Sequence, residues 1–224
     1  MQDVSLWTDG GLPSPLLLKL MREVVSGLGH LHDLKILHRD LKPQNILITG
    51  KPLVAKLSDI GISHSCLHGS SITSCGNLGW QAHEMLLPGG QHTLANDIFS
   101  FGCVLFFCVT GGKHPFGKPG ECCFNIKNNT MDLSSVASMP EAHDLISRLL
   151  NPDPLLRPTA SEVLRHPFFS DASDRAVKVP HSTDAPKPVK EIGRFPAILM
   201  ESYKVVSQFC KKEDVFRKCL KFLK

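Results

Sequence analysis

The most informative part of the sequence is His38-Arg39-Asp40-Leu41-Lys42-Pro43-Gln44-Asn45, and Asp59-Ile60-Gly61 follows it. Short apolar runs at 36–37, 46–48 and 54–57 surround the polar residues, and a Gly-Lys-Pro sequence at 50–52 separates the last two runs. Short apolar runs bounded by glycine and proline are typical of strands. The pattern therefore predicts a polar loop flanked by short strands.

The polar residues of this loop suit phosphoryl transfer. That reaction needs a carboxylate to accept the proton of the attacking hydroxyl, oxygen ligands for Mg²⁺, and a cation to offset the phosphoryl charge. Asp40 can supply the carboxylate and Lys42 the cation. Asn45 and Asp59, expected on flanking strands, can bring two hard oxygen ligands together. A plain polar turn is disfavoured, because eight residues agree with a catalytic pattern and an Asp-x-Gly follows at the right distance.

On these residues the chain resembles the C-terminal (large) lobe of a eukaryotic protein kinase. Lys42, two residues after Asp40, is the serine/threonine form of the pattern. Further matches follow in order: Ala82-His83-Glu84, the segment 97–102, His114-Pro115-Phe116-Gly117 and Arg157-Pro158. The resemblance covers 15–169. It implies a mainly α fold with a small β-ribbon that carries the catalytic loop.

The resemblance also implies a role for individual residues. Asp40 and Lys42 would be catalytic, while Lys42, Asn45 and Asp59 would bind ATP, the last two through Mg²⁺. Arg39 would hold a phosphate on the activation loop. The candidate phosphorylation sites there are Ser70, Ser71, Thr73 and Ser74. The residues with structural roles would be Glu84 and Arg157, as a buried ion pair, and Asp97, as a brace for the catalytic-loop backbone.

Shorter motifs resemble one branch, the inositol-requiring-enzyme type of sensor kinase/endoribonuclease. These are the segment 76–82, the two His-Pro-Phe motifs, 151–158 and Arg194-Phe195-Pro196, and Asp-Ile-Gly in place of Asp-Phe-Gly is similar to plant members. The branch implies autophosphorylation in a homodimer, with the protein itself or another protein as substrate. It also implies endoplasmic-reticulum stress signalling (the unfolded protein response) on the cytosolic face of that membrane, and RNA as a partner.

Two departures limit this expectation. Only 37 residues precede His38, and they contain no glycine-rich phosphate loop and no Val-Ala-x-Lys strand, so ATP would be positioned poorly and this chain alone would be weak or inactive. The family's nuclease appendage uses a Tyr/Arg/Asn/His set, but beyond His181 the chain has no histidine or asparagine and only Tyr203. Ribonuclease activity is therefore not expected. The alternative is a non-catalytic truncated paralogue, a module that dimerises with the full-length enzyme.

The predicted organisation is a loose lead-in (1–14), the kinase large lobe (15–169), a linker (170–190) and a helical remnant of the kinase-extension nuclease domain (191–224). Helical apolar spacing predicts helices at 15–32, from about Asn96 to Gly111, and at 141–150, and Thr159-x-x-Glu162 is a capping box for another. Two amphipathic helices are predicted beyond 190. His64, Cys66, His68 and Cys75 match no standard zinc spacing.

Composition fits a soluble globular chain, cytosolic as written. Its 224 residues are 42% hydrophobic and 21% charged, and the longest apolar run, 98–109, is too short for a bilayer span. Eight cysteines without a CxxC pair suggest a reducing compartment. Residues 1–189 hold 16 basic and 17 acidic residues, whereas 190–224 hold nine and four. This basic tail suits RNA or a membrane surface, or is simply a solvated helix face.

Overall fold

The computed structural model describes residues 5–60 and 78–170. Within these ranges the helices and strands are α1 (Pro15–Asp33), β1 (Ile46–Thr49), β2 (Val54–Leu57), α2 (Leu94–Val109), α3 (Cys122–Lys127), α4 (Pro140–Leu149) and α5 (Ala160–Leu164). Short 3₁₀ turns lie at Pro43–Asn45, His83–Leu86, Ser134–Val136, Pro154–Leu156 and Pro167–Phe169. The predicted fold class, mainly α with a small β-ribbon, is confirmed.

Helix α1 begins where local capping chemistry places it. The Ser14 side chain accepts a hydrogen bond from the Leu17 N–H, and Pro15 occupies the first helical position, where its missing N–H costs nothing. The face that recurs at helical spacing is buried: Leu17, Leu20, Met21, Val24, Leu28 and Leu31. This burial places the end of α1 directly before the catalytic loop.

The predicted strand at 36–37 does not form. Lys35 has a left-handed backbone (φ 61°), the Lys35 N–H donates to His32 O, and the Ile36 N–H donates to Leu31 O. These two bonds are the Schellman arrangement that ends a helix. Because the Ile36 N–H is used to cap α1, it does not enter a sheet. In the described part of the chain the β-ribbon consists of the antiparallel pair β1–β2, in which Ile46 pairs with Leu57.

Helix α2 is the apolar run predicted as a buried helix. It begins two residues earlier than expected, because Thr93 and Asn96 form a capping box at its N-terminus. Phe99, Phe101 and Phe106 are fully buried. Burial raises the pKa of the Cys108 thiol to about 12, so that thiol stays protonated in the core. None of the helices in the described ranges is long and apolar enough to cross a bilayer.

Residues 5–14, which the sequence predicts as a loose lead-in, pack against the lobe instead. Leu6 is buried, and Trp7 forms an antiparallel bridge with Pro13. The indole Nε1 of Trp7 donates to Cys108 O at the end of α2 (3.2 Å). The domain limits remain predictions. Only Ser170 of the predicted linker (170–190) is described, and the predicted remnant at 191–224 lies outside the described residues.

Candidate active site

The catalytic loop is attached to helix α2 through Asp97. The backbone N–H of His38 donates to Asp97 Oδ2 and that of Arg39 donates to Oδ1, both at 2.8 Å. The side chain of Asp97 is only 2% exposed, so these bonds form away from water. Both carboxylate oxygens are therefore occupied in fixing the backbone immediately before Asp40.

His32, which sequence reasoning did not select, also contacts Asp97. Its Nε2 lies 3.1 Å from Asp97 Oδ2, and both side chains are buried. Nε2 is the donor if the carboxylate is ionised, which connects the end of α1 to the same brace. No local signal marks this histidine, because its partner is 65 residues away along the chain.

Asp40 lies in a compact polar cluster with Lys42 and Asn45. Lys42 Nζ is 2.5 Å from Asp40 Oδ2, and Asn45 Nδ2 donates to the same oxygen (3.0 Å) and to Asp40 O (2.7 Å). Lys42 and Asp40 are 12% and 27% exposed. Pro43 opens the 3₁₀ turn that brings Asn45 back toward Asp40. The structure thus brings together three of the four residues predicted for catalysis and metal binding.

Asn45 and Asp59 flank the same end of the β-ribbon. Asn45 ends a 3₁₀ turn directly before β1, and Asp59 lies two residues after β2. The prediction that both residues lie on strands is therefore wrong. The N–H and Oγ of Ser58 both donate to Asn45 O, at 2.9 and 3.1 Å. This contact and the Ile46–Leu57 pairing keep the two positions adjacent.

The donor set at this end of the ribbon fits Mg²⁺. Asn45 turns its Nδ2 toward Asp40, which directs its amide oxygen away from that carboxylate. Asp59 supplies carboxylate oxygens from a left-handed backbone (φ 57°), a conformation that aspartate tolerates better than most residues. Hard oxygen ligands of this kind, completed by phosphate oxygens and water, suit Mg²⁺.

Arg39, the predicted phosphate-binding residue, lies next to Asp40 with part of its guanidinium buried. Its backbone is left-handed (φ 70°), and its Nε is buried without a hydrogen-bond partner in the part of the chain that the structure describes. Burial and the charge of Arg39 lower the pKa of nearby His92. The candidate phosphorylation sites Ser70, Ser71, Thr73 and Ser74 lie outside the described residues, as does the cluster of His64, Cys66, His68 and Cys75.

His38 is fully buried beside this loop. Among the described residues neither of its ring nitrogens has a hydrogen-bond partner. Burial lowers its pKa below 6.5, although the nearby carboxylates of Asp97 and Asp40 act in the opposite direction. His38 is consequently a neutral packing residue rather than a proton carrier at neutral pH.

Glu84 and Arg157 form a bidentate ion pair. Arg157 Nη1 and Nη2 lie 2.7 and 2.9 Å from the two carboxylate oxygens of Glu84. Burial, the largest single influence, would raise the pKa of Glu84, but the hydrogen bonds from Arg157 and the backbone, together with the charges of Arg157 and His83, outweigh it and the pKa is lowered. Asn96, missed as a partner by sequence reasoning, donates from Nδ2 to Glu84 Oε1 (2.5 Å). The Thr-x-x-Asn spacing at 93–96 indicates a helix start and does not reveal this contact.

His83, where the family pattern has proline, attaches the segment before α2 to helix α3. Its Nδ1 lies 3.3 Å from Ile126 O, and since a carbonyl only accepts, Nδ1 is the donor. Proline has no side-chain donor for this bond. Ser100 Oγ donates to Trp80 O (2.7 Å), and Trp80 meets His114 edge to face with ring centroids 4.8 Å apart. The residues that follow the predicted activation loop are thus fixed to both α2 and α3.

Comparison with known proteins agrees with this geometry. A profile of the family described as protein kinase domain matches residues 5–169. The serine/threonine-protein kinase/endoribonuclease IRE1 of Oryza sativa subsp. japonica is 52% identical over 79% of this chain, which spans 21% of that relative. IRE1a of Arabidopsis thaliana is 40% identical over 97% of this chain, and the chain spans 36% of its length.

A third relative differs in what its name states. The inactive serine/threonine-protein kinase/endoribonuclease IRE1-like of Arabidopsis thaliana is 45% identical over 82% of this chain, which spans 35% of that protein. The chain therefore spans well under half the length of each of these curated relatives.

Proposed function

This chain belongs to the protein kinase family, and from that premise we propose that its lobe carries the catalytic and metal-binding half of a serine/threonine kinase of the kinase/endoribonuclease type. The single observation that carries the proposal is the Asp40 cluster, in which a carboxylate, an ammonium group and an amide converge on a backbone fixed by Asp97. ATP and Mg²⁺ are the proposed cofactors. Another protein, or a second copy of this chain, is the proposed phosphate acceptor.

Each side chain then has a distinct task. Asp40 accepts the hydrogen bond of the acceptor hydroxyl and takes its proton as the phosphoryl group is transferred. Lys42, now 2.5 Å from Asp40, offsets negative charge on the phosphoryl oxygens. Asn45 and Asp59 hold Mg²⁺ through their side-chain oxygens. Bound Mg²⁺·ATP supplies the phosphoryl group and neutralises the charge that develops on its oxygens.

Asp97 and Arg39 support this site without touching the reacting atoms. The two hydrogen bonds to Asp97 fix the loop before substrate arrives, so that little reorganisation is needed during the reaction. We propose that the Arg39 guanidinium binds a phosphate on Ser70, Ser71, Thr73 or Ser74, which would order the activation loop.

We further propose that the 224 residues by themselves transfer phosphate weakly or not at all, and that they do not cleave RNA. The alignment with the Arabidopsis thaliana IRE1a kinase/endoribonuclease extends over 304 positions, so at least 80 of them have no counterpart among the 224 residues here. This gap supports the view that the nuclease part is reduced. Autophosphorylation in a homodimer and stress signalling at the cytosolic face of the endoplasmic reticulum follow from the same family relationship.

A second candidate is a non-catalytic module that dimerises with a complete paralogue. The observation that favours it is the 45% identity to an Arabidopsis thaliana protein whose name states that it is inactive. In that case the Asp40 cluster would serve the fold and not the transfer of phosphate.

Thermal unfolding with Mg²⁺·ATP separates the two candidates. We expect the nucleotide to raise the unfolding midpoint of the full chain, because a ligand that binds only the native state stabilises it. The rise should disappear in Asp59→Ala and persist in Asp9→Ala, which removes an exposed carboxylate from the segment 5–14. No rise in the unsubstituted chain at millimolar ATP would contradict the nucleotide site and leave the non-catalytic module.

A further inference from the structure

We propose that a groove beside Leu155 and Leu156 is a docking site for the chain's own C-terminal segment 215–224. The inference does not depend on the proposed function. Two features of the chain have no role in the proposed kinase activity: exposed leucines on the lobe, and a basic segment with an apolar stripe.

The groove runs between helix α4 and the residues around α5. It has a volume of about 600 Å³. Its apolar lining residues are Leu145, Leu155, Leu156, Pro158 and Val163. Arg148 and His166 form a shared wall with a second groove that continues toward Pro140 and Pro167. The two grooves together form one elongated surface along α4.

The two leucines are far more exposed than their size favours. Leu155 is 90% exposed and Leu156 is 65% exposed, although both are large aliphatic side chains on a short 3₁₀ turn. Neighbouring exposed leucines at the edge of a groove with mixed polar and apolar lining form the kind of surface patch at which a partner can bind. The turn itself is firmly placed, because it directly precedes the buried Arg157.

The segment 215–224 has an apolar stripe that fits such a groove. Five of its six apolar residues recur at helical spacing, namely Val215, Phe216, Cys219, Leu220 and Leu223, and the sixth is Phe222. A helix of this pattern needs a partner for its apolar face, because helices of this length are marginal alone in water. The groove offers that partner within the same molecule.

The charges of the two surfaces are complementary. The segment carries Arg217, Lys218, Lys221 and Lys224 and no acidic residue. The groove is lined by Glu141, Asp144 and Glu162. Asp144 is paired with Arg148 (3.0 Å), and the charge of Arg157 is matched by Glu84, so the carboxylates of Glu141 and Glu162 give the surface a negative balance.

The chain between the lobe and the segment 215–224 is long enough for the segment to reach the groove. The last 3₁₀ turn, Pro167–Phe169, forms one end of the elongated surface, and Val215 follows Ser170 by 45 residues. For any chain of 45 residues with random-coil statistics, the root-mean-square span is roughly 35–40 Å. Docking in the same chain therefore proceeds at a high effective concentration, which favours it over weak association between separate molecules.

Hydrogen exchange of the full chain tests the proposal. We expect the amides of 215–224 to exchange at least about tenfold more slowly in the unsubstituted chain than in a Leu155→Glu/Leu156→Glu variant. Leu12→Glu is the matched control, since Leu12 is 50% exposed outside the groove, and it should leave the protection unchanged. Lys218→Glu/Lys221→Glu should also reduce the protection, and added salt should do the same. Unchanged exchange in α1 and α2 would show that every variant is folded.

Three outcomes would overturn the proposal. Equal exchange in the unsubstituted chain and the double-leucine variant would show that the groove does not hold the segment. Protection that falls on dilution would assign the groove to a second copy of the chain. Protection that requires added RNA or vesicles containing anionic lipid would assign the basic segment to that partner.

Discussion

At the scale of single residues, Arg157 shows how one side chain joins separate parts of the lobe. Each of its five guanidinium N–H groups has an acceptor. These are Glu84 Oε1 (2.7 Å), Glu84 Oε2 (2.9 Å), Ala95 O (3.0 Å), Asn151 O (2.7 Å) and Pro152 O (3.3 Å). The guanidinium also lies 5.0 Å from the Phe99 ring centroid. Such a set depends on the planar shape of arginine, which lysine lacks.

We expect Arg157→Lys to lower the free energy of unfolding by about 3–5 kcal/mol, because it leaves Glu84 and several carbonyls without donors in a buried site. Arg148→Lys is the matched control. The side chain of Arg148, which pairs with Asp144, is 61% exposed. Such exposed ion pairs contribute about 1 kcal/mol or less to the free energy of unfolding. Urea denaturation measures both variants. Equal losses would show that the buried pair is energetically ordinary.

The contacts of some site residues can be predicted from the sequence, whereas those of others cannot. The loop from His38 to Asn45 folds into a local cluster, so its motif predicts which side chains meet. His32 meets Asp97 across 65 residues, and only the packing of α1 on α2 brings them together. Asn96 looks like an ordinary helix-start residue until Glu84 is placed beside it.

At the scale of elements, the helix ends were predictable because capping is local. Pro15 follows the Ser14 cap, and the Thr159–Glu162 capping box opens α5 as predicted. Helix α3 has only six residues, too few for apolar periodicity to reveal it. The strand predicted at 36–37 is absent for a local reason, because the Ile36 N–H donates to Leu31 O and caps α1.

Two helical glycines should respond oppositely to alanine. At Gly102 an added Cβ would lie 2.8 Å from Leu149 Cβ and 2.9 Å from Leu150 Cδ2, so α2 would be pushed from α4. At Gly29 the nearest atom, Ala160 Cβ, is 3.5 Å away, an ordinary contact. We expect Gly102→Ala to destabilise by about 1–3 kcal/mol and Gly29→Ala to stabilise by up to about 1 kcal/mol. Thermal unfolding of the pair checks this, and a stabilised Gly102→Ala would contradict the packing.

At the scale of the whole molecule, one core joins stretches that are distant in sequence. Trp7 contacts Cys108 across 101 residues, which is why residues 5–14 could not be placed from their own composition. His114 is partly buried against this core, with its Nε2 shielded from water, and its Nδ1 accepts a hydrogen bond from the Phe116 N–H (3.2 Å). Burial lowers the pKa of His114 to about 4.

This burial predicts a loss of stability in mild acid. The unfolded chain takes up a proton on His114 below about pH 6.5, whereas the folded chain does so only near pH 4. The stabilisation is therefore complete above pH 6.5 and is lost as the pH falls toward 4. Between pH 7 and 5 we expect the unsubstituted chain to lose about 2 kcal/mol more than His114→Asn, which does not titrate and retains an acceptor for Phe116. Parallel urea curves at the two pH values would contradict a buried neutral imidazole.

The central claim is that Asn45 and Asp59, at one end of the β-ribbon, share a divalent cation that carries ATP. Paramagnetic resonance of Mn²⁺, titrated into the full chain with ATP, measures this most directly because it counts the bound metal ion. We predict Mn²⁺ bound with ATP in the unsubstituted chain and in Asp9→Ala, and lost in both Asn45→Ala and Asp59→Ala. Undiminished binding in those two variants, or none in the unsubstituted chain, would contradict the claim.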